Sequence, residues 1–413
     1  MLDVNLIRKN PNEVRTGLKA KNADPELVDK FLELDEKWRN LNKKFDDLRT
    51  EQKKLGKESR EKAGEIKAEL KKIEADLNDL DKMRQEILHQ MPNLPLPSVP
   101  LGKDETENKV LREAGEKPKL KKFKDYLTLA AELDLIDVER ASKISGSRFG
   151  YLKGPAALLE FALVRLAMDT AMKNGFIPVV PPVLINEKAM WGMGYLERGR
   201  DEIYYLPADN LYLAGTSEQA IGPMHMDEVF QPAELPKRYV AFSSCFRREA
   251  GSYGKDTKGI LRVHQFDKVE MFSFTKPENS GQEHELLLSI EEELMQKLEL
   301  PYRVVNICSG DLGDPAAAKY DIEVWLPGQN NGKGEYRETH STSNTTDFQS
   351  RRLNIKYKNS DGKLEFVHML NGTAFAIGRM IIAILENYQT EEGTIKIPKA
   401  LQEYLNCKEI KMP

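Results

Sequence analysis

Two heptad repeats near the N terminus constrain this fold more than any other feature of the sequence. In the first repeat the apolar residues stand three, four or seven positions apart, and they are Phe31, Leu34, Trp38, Leu41, Phe45, Leu48 and Leu55. The second repeat has the same spacing and contains Ile66, Leu70, Ile73, Leu77, Leu80 and Ile87. A polar stretch containing Gly56 and Gly64 separates the two repeats. Because neither helix could bury its apolar seam alone, the pattern predicts an antiparallel helical hairpin at about 27–91.

The tip of this hairpin is rich in basic residues. With about 30 residues per helix, the hairpin would be on the order of 45 Å long. Between Lys53 and Lys72 there are eight Lys/Arg and four Glu. Two interpretations are open: a tip that binds RNA phosphates, or the ordinary solvated surface of a coiled coil. The net charge of −4 argues mildly against a nucleic-acid-binding protein, although a local basic patch can still hold phosphates.

A proline-rich segment at 91–102 ends the hairpin, because proline cannot continue a helix. We therefore expect an N-terminal domain at 1–102 and a second domain at 103–413. In the second domain an amphipathic helix is predicted at Leu158–Lys173. The predicted strands are Tyr239–Phe242, Val269–Phe274, Tyr302–Ile307, Ile322–Leu326 and Phe366–Leu370. Few crossover helices separate these strands, which favours an α+β class with an antiparallel sheet flanked by helices.

Several classes of protein are disfavoured by what the sequence lacks. It contains no run of 18 apolar residues, and its first residues have no apolar signal core. The three cysteines are widely spaced and give no disulfide framework or paired zinc motif. The six histidines form no cluster with cysteine at metal-ligand spacing. A reducing cytoplasm is the expected location, and a zinc site is not expected.

The segment 241–274 carries the strongest chemical pattern. A strand ends at Phe246-Arg247-Arg248-Glu249, a loop with Gly251, Gly254 and Gly259 follows, and a second strand returns to Glu270. Alternation places Phe266, Lys268 and Glu270 on one face of the sheet. A carboxylate and arginines on one face form a polar platform, and glycines beside it would allow a mobile lid over a ligand.

This segment resembles the second signature motif of class II aminoacyl-tRNA synthetases, in the form found in the seryl-tRNA synthetase family. The matching residues are Cys-Phe-Arg-x-Glu-Ala-Gly from Cys245 and Arg-x-His-Gln-Phe-x-Lys-x-Glu from Arg262. Other segments match the family in the expected order, and together with the hairpin they cover nearly the whole chain. They are Phe176–Gly194 with Pro181-Pro182, Leu213–Glu218, Tyr336–Asn344 with Asp347–Arg352, and Asn371–Arg379 with Glu386-Asn387.

The resemblance implies an ATP-dependent ligase that joins L-serine to tRNA(Ser) through a seryl-adenylate, with ATP and Mg²⁺. It also implies a homodimer, built at the first motif, and raises tRNA(Sec) as a second substrate. The substrate carboxylate is itself the nucleophile, so catalysis would come from positioning and charge stabilisation. Two other classes stay open: a ligase that loads an amino acid onto a carrier protein, and a non-catalytic RNA-binding or scaffolding paralogue.

For the nucleotide, the resemblance implies Arg247 as the first catalytic residue, with its guanidinium on the serine carboxylate and the α-phosphate, and Arg379 as the second. The ATP contacts it implies are Arg247, Arg248, Glu249, Val263, Phe266, Glu338, Thr339, His340, Ser341 and Arg379. Of these, Glu338 and Ser341 would supply oxygens to Mg²⁺. Taken alone, Phe266 could be simple core packing. His340 stands where the family usually has a small hydroxyl, and it could equally be a loop histidine.

For serine, the implied residues are Thr216, Ser217, Glu218, Glu270, Asn371 and Thr373. They offer an anion for the ammonium and hydrogen-bonding groups for the hydroxyl. A site built to bond a hydroxyl rejects alanine, because its polar groups would be left unpaired. Taken alone, the Thr216-x-Glu218 pair is more typical of a helix cap. Which carboxylate binds the ammonium stays open at this point.

Overall fold

The computed structural model describes residues 1–55, 60–197, 199–250 and 258–411, without the side chains of 60 and 61. Part of the hairpin tip and the expected lid glycines Gly251 and Gly254 lie outside these residues. The chain divides into two compact units, Met1–Pro95 and Leu96–Pro413. Among the described residues, no helix combines the length and apolar character needed to cross a membrane.

The first unit is helical. Its elements are α1 (Val4–Lys9), α2 (Pro11–Ala20), α3 (Leu27–Lys54) and α4 (Arg60–Gln90). The last two helices pack against each other, and the ion pairs Lys44–Glu69 and Lys62–Glu51 connect them in antiparallel register. Every residue of the two predicted seams is buried or half-buried. The predicted helical hairpin is confirmed.

A buried charge cluster at the base of the hairpin was not predicted. Asp35 of α3 is fully buried, and its carboxylate accepts hydrogen bonds from Arg8 at 2.8 Å and from Arg84 of α4 at 2.7 Å. Arg84 stands between Leu80 and Ile87, at a seam position where the heptad pattern calls for an apolar side chain. Its guanidinium carbon lies 4.4 Å from the centre of the Trp38 ring, so the paired charge also contacts an aromatic face.

The second unit is a sheet with helices packed against it. Its helices are α5 (Tyr126–Glu132), α6 (Val138–Ser145), α7 (Pro155–Lys173), α8 (Glu187–Met193), α9 (Glu218–Ile221), α10 (Ser280–Lys297), α11 (Gln329–Gly332), α12 (Phe348–Leu353), α13 (Ile377–Asn387) and α14 (Lys399–Leu405). Its strands are β1 (Lys109–Ala114), β2 (Ile136–Asp137), β3 (Tyr151–Leu152), β4 (Ile177–Val179), β5 (Leu184–Asn186), β6 (Tyr205–Leu206), β7 (Leu211–Leu213), β8 (Val229–Phe230), β9 (Lys237–Phe246), β10 (Gln265–Thr275), β11 (Tyr302–Asn306), β12 (Ala318–Leu326), β13 (Glu335–Asn344), β14 (Lys356–Lys358), β15 (Leu364–Phe366), β16 (His368–Ala376), β17 (Ile395–Lys396) and β18 (Glu409–Ile410).

The main sheet has the order β1-β11-β12-β13-β16-β10-β9-β4. Its neighbours are antiparallel except for the edge strand β4, which runs parallel to β9. The helices α7, α10 and α13 pack against this sheet and supply much of the apolar core. The α+β class and the antiparallel sheet with flanking helices are therefore confirmed. One predicted strand, Phe366–Leu370, spans the break between β15 and β16 instead of forming one element.

Candidate active site

A cavity of about 570 Å³ opens above the central strands of the main sheet. Strands β10, β13 and β16 contribute to its lining, together with the start of α13. Residues at 194–195, 199, 260–263 and 313–316 also line it, as do residues near the start of α9 and the end of β9. Of the residues expected from the sequence, those that line the cavity are Thr216, Glu218, Arg247, Glu249, Val263, Phe266, Glu270, Glu338, Thr339, Ser341, Asn371, Thr373 and Arg379. The structure thus brings four separate sequence motifs to one site.

Three expected residues are not brought to the cavity. Ser217 is fully buried, and Arg248 is exposed. His340 is buried, with its Nδ1 2.8 Å from the Thr339 hydroxyl and its ring 5.6 Å from that of Phe375. None of the three belongs to the lining, so the structure does not place Arg248 or His340 as nucleotide contacts or Ser217 as a serine contact.

Strand β10 carries one row of lining residues. Phe266, Lys268 and Glu270 all line the cavity, as the alternation predicted. The strand is held on both sides: its pairing with β9 is continuous along this row, and its pairing with β16 shifts register between Val269 and Glu270. Strand β10 is therefore a rigid platform whose one face carries an aromatic ring, a cation and a carboxylate.

Arg247 lies at the junction of the motifs. Its Nε donates a hydrogen bond to the Gly215 carbonyl at 3.1 Å, and its guanidinium lies 5.3 Å from the centre of the Phe266 ring. The backbone N–H of Arg247 donates to the His264 carbonyl at 2.9 Å. The side chain is thus oriented by Gly215, and among the described residues no hydrogen bond from its Nη1 or Nη2 is observed, so these donors suit a ligand.

Glu249 adopts an unusual backbone conformation beside it. Its φ is 51°, in the left-handed region that costs a non-glycine residue about 1 kcal/mol or more. Its carboxylate accepts a hydrogen bond from Arg262 Nη1 at 3.0 Å. Both residues line the cavity, so the strained backbone at Glu249 belongs to the site itself.

Two buried carboxylates lie among hydroxyl groups in the cavity. Glu218 Oε2 accepts a hydrogen bond from the Tyr195 hydroxyl at 2.9 Å, and its Oε1 accepts one from Gln349 at 3.0 Å. Glu270 Oε2 accepts one from the Thr373 hydroxyl at 3.3 Å. Burial raises the pKa of both glutamates, because desolvation disfavours the charged form. This group of residues is suited to a small ligand that carries an ammonium and a hydroxyl.

A second polar group surrounds Glu338. Arg379 Nη1 donates to the Glu338 carbonyl at 2.9 Å and lies 3.5 Å from its carboxylate. Desolvation opposes ionisation of Glu338, but the positive charges of Arg379 and Lys319 outweigh it and hold its pKa at about 2. Lys319 Nζ also donates a hydrogen bond to Asp321 Oδ2 at 3.0 Å. Burial raises the pKa of Asp321 to about 6. Glu338 is therefore ionised at neutral pH and lies beside cations, an arrangement suited to a phosphate chain with its metal.

The donor set near Glu338 fits Mg²⁺. The Glu338 carboxylate and the Ser341 hydroxyl both line the cavity, and both are hard oxygen donors. Within the described residues there is no cluster of three or more His, Cys, Asp or Glu that could hold a metal alone. Mg²⁺ is commonly bound by one or two carboxylates together with phosphates and water, so a small protein donor set suffices.

Some lining residues were not predicted as site residues, namely Tyr195, Arg262, Lys268 and Lys319. The alternation in β10 already placed Lys268 on the correct face, so a signal was present. Lys319 and Tyr195 stand in segments without a recognisable motif, and only the folded chain brings them to the cavity.

Comparison with known proteins agrees with these features. The family model described as the seryl-tRNA synthetase N-terminal domain matches residues 1–95, and that of the tRNA synthetase class II core domain (G, H, P, S and T) matches 204–388. A serine–tRNA ligase from Dictyoglomus turgidum is 45% identical, with 100% of this chain and 99% of the relative covered.

Two solved structures are similar over the whole chain. Seryl-tRNA synthetase from Pyrococcus horikoshii, solved with ATP, has a TM-score of 0.94 at 41% identity, with 100% of each chain covered. A cytoplasmic serine–tRNA ligase from Naegleria fowleri, solved with AMP, has a TM-score of 0.92 at 36% identity, with 100% of this chain and 99% of the other covered.

Proposed function

The chain belongs to the seryl-tRNA synthetase family, a class II aminoacyl-tRNA synthetase family, and from this premise we propose that it is an enzyme that ligates L-serine to tRNA(Ser) with ATP, through a seryl-adenylate. One observation carries the proposal. A single cavity contains two buried carboxylates among hydroxyl groups, Glu218 and Glu270, and a phosphate-suited group around Glu338 and Arg379.

In the proposed first step, an oxygen of the serine carboxylate attacks the α-phosphorus of ATP, and pyrophosphate leaves. Arg247 exerts an electrostatic effect on both Glu218 and Glu338, which supports a position between the amino acid and the phosphates. Its guanidinium would hold the carboxylate and a phosphate oxygen together in the reacting geometry. No protein nucleophile is required, because the substrate supplies it.

The adenine would stack on Phe266, and Glu249 and the backbone at Val263 would bind its edge. Arg379 would neutralise the outer phosphates. Glu338 and Ser341 would hold Mg²⁺, which supplies positive charge to the phosphate oxygens when bound.

In the proposed second step, a hydroxyl of the terminal ribose of tRNA attacks the seryl carbonyl and displaces AMP. The helical hairpin α3–α4 is the proposed tRNA-binding element, and its basic residues support that role. The hairpin also disfavours a ligase that loads a carrier protein. We propose tRNA(Ser) as the acceptor and include tRNA(Sec) as a second one.

The proposed assembly is a homodimer in the cytoplasm. Helix α7 packs against the edge strand β4, and together they expose large apolar side chains. Phe161 is 66% exposed, and Val180, next to the strand, is 80% exposed. Apolar side chains grouped at a sheet edge are typical of a surface that another chain covers. All three cysteines are free, which suits a reducing compartment.

Serine-dependent exchange between ATP and labelled pyrophosphate tests the first step, and serine charging of transcribed tRNA(Ser) and tRNA(Sec) tests the second. We expect serine-dependent exchange in the absence of tRNA, and charging of both tRNA(Ser) and tRNA(Sec). Exchange without charging of either tRNA, but with charging of a carrier protein, would favour the carrier-protein ligase. An intact protein without any exchange would favour the scaffolding paralogue.

A further inference from the structure

Lys268 is a buried cation in the middle of the candidate serine site. It is 8% exposed, lines the cavity, and forms an ion pair with Glu270 Oε2. Its Nζ also donates a hydrogen bond to the Thr216 hydroxyl at 3.2 Å. The ammonium therefore connects strand β10 with the loop that precedes α9, and it contacts two of the residues expected to bind serine.

The contacts of Glu270 are asymmetric. Oε2 is shared by Lys268 and by the Thr373 hydroxyl. Among the described residues, no such contact to Oε1 is observed. Since a carboxylate can accept about four hydrogen bonds, Oε1 has capacity for a ligand ammonium while Oε2 stays fixed by the protein. The two oxygens of Glu218, by contrast, are both bonded to neutral donors.

Resting on the proposed function, we propose that Lys268 is a positioning residue of the serine site, which pairs with Glu270 Oε2 and orients the Thr216 hydroxyl so that Glu270 Oε1 receives the ammonium of the amino acid. Lys268 does not itself have to touch the substrate. It acts through the two side chains to which it is bonded.

The electrostatics agree with this geometry. Burial raises the pKa of Glu270, and Lys268 counteracts the shift, while the neighbouring charge of Glu218 adds to it. Without Lys268, the two neighbouring buried carboxylates would lose this positive charge, and one of them would bind a proton at higher pH. The titratable or charged groups around the pair are Glu218 at the start of α9, Glu291 of α10, Glu338 of β13, Cys245 of β9, Arg247 after β9 and Tyr195 after α8.

The experiment compares Lys268→Met, which removes the charge at similar length, with Lys268→Arg, which keeps it. The control is Lys237→Met on the adjacent strand β9, where the lysine lies outside the cavity lining and 3.8 Å from Glu234. Serine-dependent ATP–pyrophosphate exchange is measured in the full-length proteins between pH 5.5 and 9, with KM determined separately for serine and for ATP. Thermal unfolding with and without ATP confirms that each variant is folded.

For Lys268→Met we expect the KM for serine to rise by about 10- to 100-fold, because a charged hydrogen bond is lost, with the KM for ATP nearly unchanged. The acid limb of kcat/KM for serine should also move to higher pH, because Glu270 then binds a proton more readily. Lys268→Arg should restore most of the pH profile, and Lys237→Met should resemble the unmodified protein.

A Lys268→Met protein with the serine KM and the acid limb of the unmodified protein would overturn the assignment. A higher KM without any shift of the acid limb would also overturn it, since loss of packing alone gives that result. If the unmodified protein has no serine-dependent exchange, the proposed function fails, and the assignment of Lys268 fails with it.

Discussion

Asp35 and Arg84 form a buried ion pair across the hairpin, with 2.7 Å between Asp35 Oδ1 and Arg84 Nη2. Asp35 belongs to α3 and Arg84 to α4, and Arg8 of α1 donates two further hydrogen bonds to the same carboxylate. The pair therefore connects the hairpin helices to each other and to the first helix of the chain. Because buried charges are stable only when paired, it fixes which residues of α3 and α4 face each other.

Asp35→Asn should destabilise the N-terminal unit by about 3 kcal/mol, because the buried Arg84 guanidinium then keeps only its ion pair with the more exposed Asp81. Urea denaturation monitored by the fluorescence of Trp38 measures the loss of unfolding free energy. The matched control is Asp29→Asn, whose ion pair with Arg15 is solvent-exposed and should contribute no more than about 1 kcal/mol.

The ion pair between Asp35 and Arg84 also predicts how the stability of the N-terminal unit depends on pH. Desolvation opposes the ionised form of Asp35, but its hydrogen bond from Arg8 and the charge of Arg84 prevail and lower its pKa below the usual value. The stabilisation is therefore complete above the unfolded-state pKa near 4 and is lost as the pH falls through the lower folded-state value. The difference in the free energy of unfolding between the unmodified protein and Asp35→Asn should therefore become smaller as the pH falls through this range. A difference that stays constant down to pH 2 would contradict this assignment.

Heptad spacing was sufficient to predict the hairpin because one rule, apolar burial every 3.5 residues, governs both helices. The same rule could not predict Arg84, which breaks the pattern and whose charge is paired with the buried Asp35 on the opposite helix. The partner is 49 residues away in the sequence. Such a pair depends on the register of two helices, and no local pattern carries that information.

The structure suggests how to remove the distal hairpin without disturbing its base. The ion pair Lys44–Glu69 shows which positions face each other, so a short glycine-rich turn can replace 42–73 and leave Asp35 and Arg84 in place. We expect this protein to form seryl-adenylate at the normal rate and to lose tRNA charging. Exchange and charging assays on one preparation measure both. Charging at the normal rate would show that the distal hairpin is not needed for tRNA.

Arg247→Ala should reduce the rate of ATP–pyrophosphate exchange by about 10²–10³-fold, because a fixed positive charge at the reacting phosphate is lost. Arg248→Ala is the informative comparison, since its side chain is exposed and outside the cavity lining. It should change the rate less than about threefold. Equal losses in the two proteins would mean that the overall charge of the loop matters and not the position of Arg247.

Strand alternation predicted the β10 row correctly, whereas the ATP contact at His340 was implied only by the family resemblance, and the structure places this residue outside the cavity lining. In the pairing of β12 with β13, Glu323 lies opposite Glu338, and Ile322 lies opposite His340. Thr339 between them is the extra residue of a β-bulge, which interrupts the alternation of faces. Glu338 and Ser341 line the cavity, whereas His340 does not. A bulge depends on the partner strand, so the sequence of β13 alone does not reveal it.

Glu338→Gln should raise the Mg²⁺ concentration required for half-maximal exchange by about tenfold or more, because an amide oxygen is a weaker ligand than a carboxylate. Glu335→Gln is a suitable control on the same strand, since Glu335 is exposed and outside the cavity lining. With the pKa of Glu338 held at about 2, its titration should contribute no acid limb to exchange between pH 5 and 8. An unchanged Mg²⁺ requirement in Glu338→Gln would contradict its role as a metal ligand.

His340→Ser should affect stability and leave ATP binding almost unchanged. Burial lowers the pKa of His340 to about 3, so the folded protein keeps the ring neutral while the unfolded chain protonates it near pH 6.5. The unfolded state therefore binds more protons between these values, and stability falls as the pH drops below about 6.5. Serine at this position has no such titration, so its stability should fall less steeply from pH 6.5 to 4. Urea denaturation at several pH values measures the slopes, and a KM for ATP raised more than about threefold in His340→Ser would instead indicate a nucleotide contact.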